Sequence, residues 1–176
     1  MAMTIAVSFL LVVPIEPVFW LMAPFAGLIV GYYANSRAGR LENVGRILVN
    51  GLYAGALTAV TMALLFVAVK AIFFFGDDGY PDFNRIDPVT LKPVPPFCDS
   101  GAPCVYARYL VKGQGPDFVK AGVTDTGSFT AFYWREQLGT AGTVLALCTI
   151  GGLGGAFVYG LVRPRPNRSK DAPATG

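Results

Sequence analysis

Long runs of apolar residues without any charged side chain dominate the pattern of this chain. Residues 17–36, 47–69 and 137–162 hold 20, 23 and 26 residues without Asp, Glu, Lys or Arg. An α-helix of about 20 apolar residues crosses a hydrocarbon core of about 30 Å. The pattern therefore predicts an all-α membrane protein with three firm transmembrane helices.

Residues 1–15 form a fourth uncharged run, which is strongly apolar but short for a span. At about 1.5 Å per residue it reaches only about 22 Å. Pro14, Glu16 and Pro17 then interrupt the pattern. Three interpretations stay open: a long, proline-kinked first helix, an apolar N-terminal half-helix before a span that starts near residue 17, and a short extra span. We favour the first two.

The composition agrees with a membrane protein and excludes several classes of function. Of the 176 residues 53% are hydrophobic and only 14% are charged, against about 25% charged residues in soluble domains. The chain has no histidine, which excludes His-based catalysis and His ligands for a metal or haem. The chain shows no nucleotide loop, catalytic motif or nucleic-acid module. We therefore expect a non-catalytic protein without a cofactor or a nucleic-acid partner.

Two short basic segments predict the orientation in the membrane. Residues 37–46 carry three Arg and one Glu, and residues 163–176 carry four basic residues and one Asp. The positive-inside rule places both segments in the cytoplasm. Residues 76–130, with seven Asp against five Lys and Arg, then lie outside. We expect an integral protein of a bacterial plasma (inner) membrane with this orientation.

Residues 76–130 are predicted to form an extracytoplasmic cap between the last two spans. Seven prolines and seven glycines break regular structure there, whereas four phenylalanines argue against a disordered linker. We expect a small ordered cap with little regular structure. The chain then divides into an N-terminal membrane region (1–75), the cap (76–130), a last transmembrane helix (131–163) and a basic cytoplasmic tail (164–176).

Cys98 and Cys104 lie in the predicted cap, in the sequence CDSGAPC. On the oxidising side of a membrane, two cysteines across such a short loop predict a disulfide. Two free thiols in a reducing compartment are the alternative. A redox-active pair is less favoured because the CxxC spacing is absent, and a membrane enzyme or redox protein that uses these cysteines is therefore the least favoured function.

Each firm span carries glycines four positions apart, which let helix backbones approach closely in lipid. The pairs are Gly27 and Gly31, Gly51 and Gly55, and Gly151 and Gly155. We favour packing within one compact bundle. Contacts between copies of the chain, or docking on another membrane subunit, are the alternatives.

Glu16 is the only charged residue before Arg37. A carboxylate inside the membrane suggests an ion or proton site. The prolines on both sides of Glu16 favour instead a turn at the level of the lipid headgroups. Because the three uncharged runs offer no second acid or base, we expect Glu16 to have no charged partner.

Two functions follow from these features. The first is a small non-catalytic integral membrane protein that serves as an accessory or structural subunit of a membrane complex. Its partners are the lipid bilayer and either a second membrane protein or further copies of the chain. The alternative is an oligomeric channel or transporter that uses Glu16 as its ion or proton site.

Overall fold

Three long helices and two short ones make up the computed structural model of the protein, which describes residues 15–38, 43–81 and 84–162. In chain order the helices are α1 (Ile15–Arg37), α2 (Val44–Gly76), α3 (Ala102–Val111), α4 (Gly115–Lys120) and α5 (Thr126–Val162). Within the described ranges, β pairing is limited to one isolated bridge between Ile86 and Pro93. The predicted all-α class is confirmed.

Helices α1, α2 and α5 are long and apolar enough to cross a membrane, as the three uncharged runs predict. They contain 23, 33 and 37 residues. At about 1.5 Å per residue, α2 and α5 are about 50 and 55 Å long, well beyond a hydrocarbon core of about 30 Å. Both helices are therefore longer than the hydrocarbon core is thick.

The extra length lies towards the segment that joins α2 to α5, residues 77–125, which we call the α2–α5 connection. Helix α5 begins at Thr126 rather than near residue 131 because its first turn is capped from both sides. The amide of Ser128 donates to Asp125 Oδ1 (2.9 Å), and the amide of Asp125 donates to Ser128 Oγ (3.1 Å). This reciprocal cap satisfies amides that the helix itself leaves unpaired.

The three long helices form one bundle in which α5 contacts α1 and α2 more extensively than these contact each other. Gly27 and Gly31 of α1 face Cys148 and Gly152 in increasing order, so α1 and α5 run in the same direction. Helix α2 runs in the opposite direction. Large apolar side chains remain exposed on the outer faces, including Leu21, Ile29, Leu64, Ile150 and Phe157. Such faces suit a lipid environment.

The α2–α5 connection contains more helix than the sequence suggested. Helices α3 and α4 each have a proline, Pro103 and Pro116, at one of their first two positions. Proline is tolerated there because its missing N–H has no partner within the helix in any case. Prolines in this segment therefore occur at the starts of helices as well as in turns.

Three predicted features lie outside the described residues. They are the apolar half-helix within residues 1–14, part of the basic segment that includes Arg40 and Glu42, and the basic tail that follows Val162. The interpretations of the N-terminal run and of the tail therefore stay predictions.

Candidate functional site

The six glycines singled out in the sequence all lie where the long helices touch. A Cβ atom added at Gly27 would meet the backbone carbonyl of Cys148, and one added at Gly155 would meet that of Leu28, both closer than 3.0 Å. A Cβ atom added at Gly31, Gly51 or Gly151 would likewise meet a backbone carbonyl of a neighbouring helix, and one added at Gly55 would come within 2.9 Å of the Cα atom of Gly152. These faces are occupied by contacts within the chain.

Gly152 is a further close-packed position, which the sequence did not separate from its neighbours. It lies between α5 and α2, where an added Cβ would come within 2.7 Å of Gly51 O and Gly55 Cα. By contrast, an added Cβ at Gly139, Gly142, Gly154 or Gly160 would meet nothing within 4 Å. Some glycines of α5 therefore lie in close contact with another helix, whereas others have free space at the position of a Cβ atom.

Glu16 of α1 and Lys70 of α2 form an ion pair at the end of the bundle that carries the connection. Lys70 Nζ lies 2.8 Å from Glu16 Oε1, and the lysine side chain is 15% exposed and the glutamate side chain 36%. Lys70 Nζ also lies 5.6 Å from the centre of the Phe66 ring, whose face attracts a cation. The expectation that Glu16 has no charged partner is wrong, because the opposed directions of α1 and α2 bring together two residues that are 54 positions apart. Its role as an ion site stays a prediction.

Asn35 and Asn50 form a partly buried polar contact towards the opposite end of the bundle. Asn50 Nδ2 donates to Asn35 Oδ1 (3.2 Å), and Asn35 Nδ2 donates to the carbonyl of Gly31 (2.9 Å). Asn35 is fully buried. Sequence reasoning missed this pair, although each asparagine lies near the cytoplasmic end that was predicted for its span. The contact joins α1 to α2.

Asp77 and Arg108 fasten the connection to the end of α2. Arg108 Nε donates to Asp77 Oδ2 (2.6 Å), and Arg108 Nη2 donates to Asp77 Oδ1 (2.9 Å) and to the carbonyl of Tyr80 (2.6 Å). Asp77 is 2% exposed. A two-pronged guanidinium–carboxylate contact of this kind fixes orientation as well as distance. Sequence reasoning gave neither residue a role.

Cys98 and Cys104 lie at the distance of a disulfide bond, with their sulfur atoms 2.07 Å apart and their Cα atoms 5.3 Å apart. They pack against Gly79, where an added Cβ would come within 2.9 Å of Cys98 Sγ. Gly79 has a φ of 75°, which glycine adopts without steric cost. The cysteine pair therefore closes its loop directly beside the buried Asp77.

Aromatic rings from α2, α3, α4 and α5 form a cluster at the end of the bundle that carries the α2–α5 connection. Phe74 stacks on Tyr133 with ring centres 4.7 Å apart, and Phe118 meets Phe129 edge-on at 5.4 Å. Buried members of the cluster include Phe74, Phe118, Phe129 and Tyr133. The rings hold α3 and α4 against the first turns of α5.

A cavity of about 210 Å³ opens beside this cluster, between α3, α4 and α5. Its lining includes the rings of Tyr109, Phe118, Phe132 and Tyr133 and the polar side chains of Asp117, Glu136 and Gln137. Gln137 is 6% exposed, and its Oε1 atom has no hydrogen-bond partner among the described residues. Burial raises the pKa of the Tyr109 phenol, and the charge of Glu16 raises it further.

The first part of the connection forms an ordered turn that presents apolar side chains to solvent. Asp87 Oδ1 accepts hydrogen bonds from the amides of Val89 (2.7 Å) and Thr90 (3.1 Å), and these bonds lower the pKa of that carboxyl. Val89 is 88% exposed and Leu91 77%. Leu91 has a φ of 56°, a left-handed conformation that is unfavourable for a residue other than glycine because the Cβ atom approaches the following carbonyl oxygen.

Metal-ligating side chains do not gather within the described ranges, where no group of three or more His, Cys, Asp or Glu lies close enough to hold an ion. Comparisons of the chain with protein-family models, with curated proteins and with solved structures give no match. The interpretation of function therefore depends on the geometry of the chain itself.

Proposed function

We propose that the protein is a non-catalytic integral membrane protein that serves as an accessory subunit, and that it docks a partner protein on the turn formed by residues 86–93. The observation that carries the proposal is Leu91. A leucine held in a left-handed conformation, with its side chain largely exposed, costs about 1 kcal/mol or more that a glycine would avoid. The backbone of Leu91 helps to close the turn, because its amide donates to the carbonyl of Asp87 (2.9 Å), whereas its side chain is left largely exposed.

The anchoring of the connection supports a docking role. Arg108 and Asp77 attach it to α2, the cysteine pair closes its central loop, and the aromatic cluster packs it on α5. A turn carried on a rigid base loses little conformational entropy when it binds. Exposed apolar side chains on such a turn are typical anchors for a pocket in a partner.

The charged residues around the turn favour a protein, and not the lipid surface, as the partner that binds there. Arg85 lies 2.8 Å from Asp78, which lowers the pKa of that carboxyl, and Asp87 offsets Lys92. The turn thus lacks the cluster of basic residues that draws a segment to anionic lipid. The glycine faces already contact other helices of the same chain. As the docking partner, a different protein is therefore favoured over a second copy of the chain.

We infer that the membrane is a bacterial plasma membrane and that the connection faces the exterior. The basic residues around positions 37–46 and 163–176 support this orientation. A cysteine pair at disulfide distance is typical of an oxidising compartment. A channel or transporter that uses Glu16 is less favoured, because Lys70 gives this carboxylate a structural partner.

The variant Leu91→Gly tests the docking role. Glycine accepts the left-handed conformation freely, so the free energy of unfolding should stay equal or rise by about 1 kcal/mol. The apolar anchor is lost, so the native mass of the detergent-solubilised protein should fall from that of a hetero-complex to that of the single chain. Both quantities are measured on the same preparation.

Lys92→Gln is the matched control, because it changes the same turn without removing an apolar side chain. Its native mass should equal that of the wild-type protein. An unchanged complex in Leu91→Gly contradicts docking at this turn. A closed homo-oligomer in the wild-type protein contradicts the accessory role and favours the channel.

A further inference from the structure

The contacts between α2 and α5 place the ends of their uncharged runs at one level. Phe74 of α2 stacks on Tyr133 of α5, with ring centres 4.7 Å apart. Eight residues earlier in α2 and eight residues later in α5, Phe66 and Ala141 lie in one buried cluster. Because the two helices are antiparallel, the positions midway between these contacts in α2 and in α5 lie at the same height along the bundle.

Lys70 and Gln137 are these midway positions, and each marks the end of an uncharged run. The run in α2 ends directly before Lys70, and the run in α5 begins at Gln137, directly after Glu136. In α1 the run begins directly after Glu16, which pairs with Lys70 at 2.8 Å. Because a charge within hydrocarbon is costly, all three helices indicate one boundary of the hydrocarbon core, at the level of the Glu16–Lys70 pair.

The segment that contains α3 and α4, residues 102–120, lies close to this boundary, and we call it the α3–α4 hairpin. Its residues Tyr109 and Asp117 line one cavity together with Glu136 and Gln137 of α5. The end of α3 and the start of α4 are therefore beside the level at which the uncharged run of α5 begins. The headgroup layer is about 5–7 Å thick on each side of the core, so this part of the hairpin lies at headgroup height.

The aromatic contacts of α4 give the same height. The Phe118 ring lies 5.9 Å from the Phe132 ring of α5. Phe132 precedes Gln137 by five residues, which corresponds to about 8 Å along a helix. Helix α4 therefore lies closer to the hydrocarbon core than Thr126, the first residue of α5, does.

The hairpin presents two apolar side chains at this height, each followed by a lysine. Val111 is 87% exposed and Val119 71%, and Lys112 and Lys120 come directly after them. Single exposed apolar side chains are common on surfaces that face water. At headgroup height, however, an apolar side chain borders the acyl chains, and a neighbouring lysine reaches the lipid phosphates. Asp117, the only acidic residue of the hairpin, lies 3.3 Å from Lys120.

We propose that the α3–α4 hairpin rests on the lipid bilayer, with Val111 and Val119 entering the boundary between headgroups and acyl chains. Lys112 and Lys120 contact lipid phosphates beside them. The leaflet concerned is the one on the side of the α2–α5 connection. This surface is separate from the docking turn at residues 86–93, and it requires only that α1, α2 and α5 span the membrane.

Spin labels measure the surroundings of each valine in the purified full-length protein, in nanodiscs of phosphatidylcholine and phosphatidylglycerol. Val111→Cys and Val119→Cys each add one reactive cysteine, while Cys98 and Cys104 stay paired and Cys148 stays buried. The wild-type protein should therefore take up no label. Power saturation gives the collision rates of the label with dioxygen, which partitions into hydrocarbon, and with a neutral nickel chelate, which stays in water.

Two further positions supply reference values for the ratio of dioxygen to nickel collision rates. Ile150→Cys lies on an exposed face of α5 within the uncharged run, and Ser100→Cys lies in the connection. The ratio at both hairpin valines should lie between these references and well above that of Ser100. Val89→Cys is the matched control, because Val89 is as exposed as Val111 but belongs to the docking turn. Its ratio should equal that of Ser100.

The double variant Lys112→Gln, Lys120→Gln tests the contacts with phosphate. Phosphatidylglycerol should raise the unfolding midpoint of the wild-type protein above its value in phosphatidylcholine alone, because anionic lipid attracts basic residues near the surface. The double variant should lose part of this shift. Lys92→Gln removes a lysine of the docking turn and should keep the full shift.

Three results overturn the proposal. A collision ratio at either hairpin valine that equals the ratio at Ser100 places that side chain in water. Low collision rates with both reagents show that protein, and not lipid, covers the valines. A double lysine variant that keeps the full shift excludes the contacts with phosphate.

Discussion

Arg108 holds both carboxylate oxygens of Asp77, at 2.6 and 2.9 Å, and thereby attaches α3 to the end of α2. Asp77 is the residue that directly follows α2, and its backbone carbonyl accepts from the amide of Gly101 (2.7 Å) at the start of α3. One residue thus contacts α3 through both its side chain and its backbone. Together with the aromatic cluster, this contact positions α3 on the bundle.

Arg108→Leu should release the connection from α2. The variant leaves the carboxylate of Asp77 buried without a countercharge, which costs about 3–5 kcal/mol. Limited proteolysis should cut the connection within residues 84–100 much faster than in the wild-type protein. Arg85→Leu is the control, because it breaks an exposed pair with Asp78 and should leave the cleavage rate nearly unchanged. Equal protection of both variants would show that the aromatic cluster alone holds the connection.

The pair of Glu16 and Lys70 should stabilise the bundle modestly. A double-mutant cycle of Glu16→Gln and Lys70→Gln, measured by thermal unfolding in one detergent, should give a coupling of up to about 1 kcal/mol, since Glu16 is partly exposed. Ion or proton flux in reconstituted vesicles should be the same with and without Glu16→Gln. A flux that only the wild-type protein supports would instead favour the transporter.

Gly155→Ala should destabilise the bundle, whereas Gly154→Ala should not. The added methyl at 155 meets the carbonyl of Leu28 in α1, which has no room to move, and overpacking of this kind costs about 1–3 kcal/mol. A methyl added at Gly154 meets nothing within 4 Å. Because alanine has a higher helix propensity than glycine, Gly154→Ala should stabilise the helix by up to about 1 kcal/mol. The measurement is the unfolding midpoint of each variant in the same detergent. Equal midpoints would contradict the close approach of α1 and α5.

Cys98 and Cys104 should be oxidised in the protein isolated from cells. The intact mass without reduction should be lower by two hydrogen atoms than after reduction. Replacing both cysteines by serine should cost about 2 kcal/mol, because the closed loop is short. Alkylation of both thiols in freshly isolated, unreduced protein would contradict the pairing. Cys148, which is buried, serves as the internal control and should react only after unfolding.

The orientation in the membrane should follow the basic segments. In a variant whose natural cysteines are replaced, a single cysteine at Ser100 should react with an impermeant reagent from outside intact cells. A single cysteine at Arg168 should react only after the cells are opened. The opposite result would reverse the orientation and place the connection in the cytoplasm.

The membrane-spanning helices were predictable from the sequence because their signal is local. A charge inside hydrocarbon is so costly that each span must appear as an unbroken uncharged run. Residues 17–36, 47–69 and 137–162 lie within α1, α2 and α5 in this way. Outside the hydrocarbon this constraint ends, and α2 and α5 continue past their runs to Gly76 and back to Thr126, where backbone hydrogen bonds and the Asp125–Ser128 cap decide the helix ends.

The partners of the polar residues were decided only by the tertiary structure. Glu16 and Lys70 are 54 positions apart, and Asp77 and Arg108 are 31. Which side chains meet depends on the direction and register of packed helices, and a hydropathy pattern carries no information on either. Gln137 shows this most directly: in the sequence it is merely the first residue of an uncharged run, whereas in the structure it is buried and its Oε1 atom has no hydrogen-bond partner among the described residues.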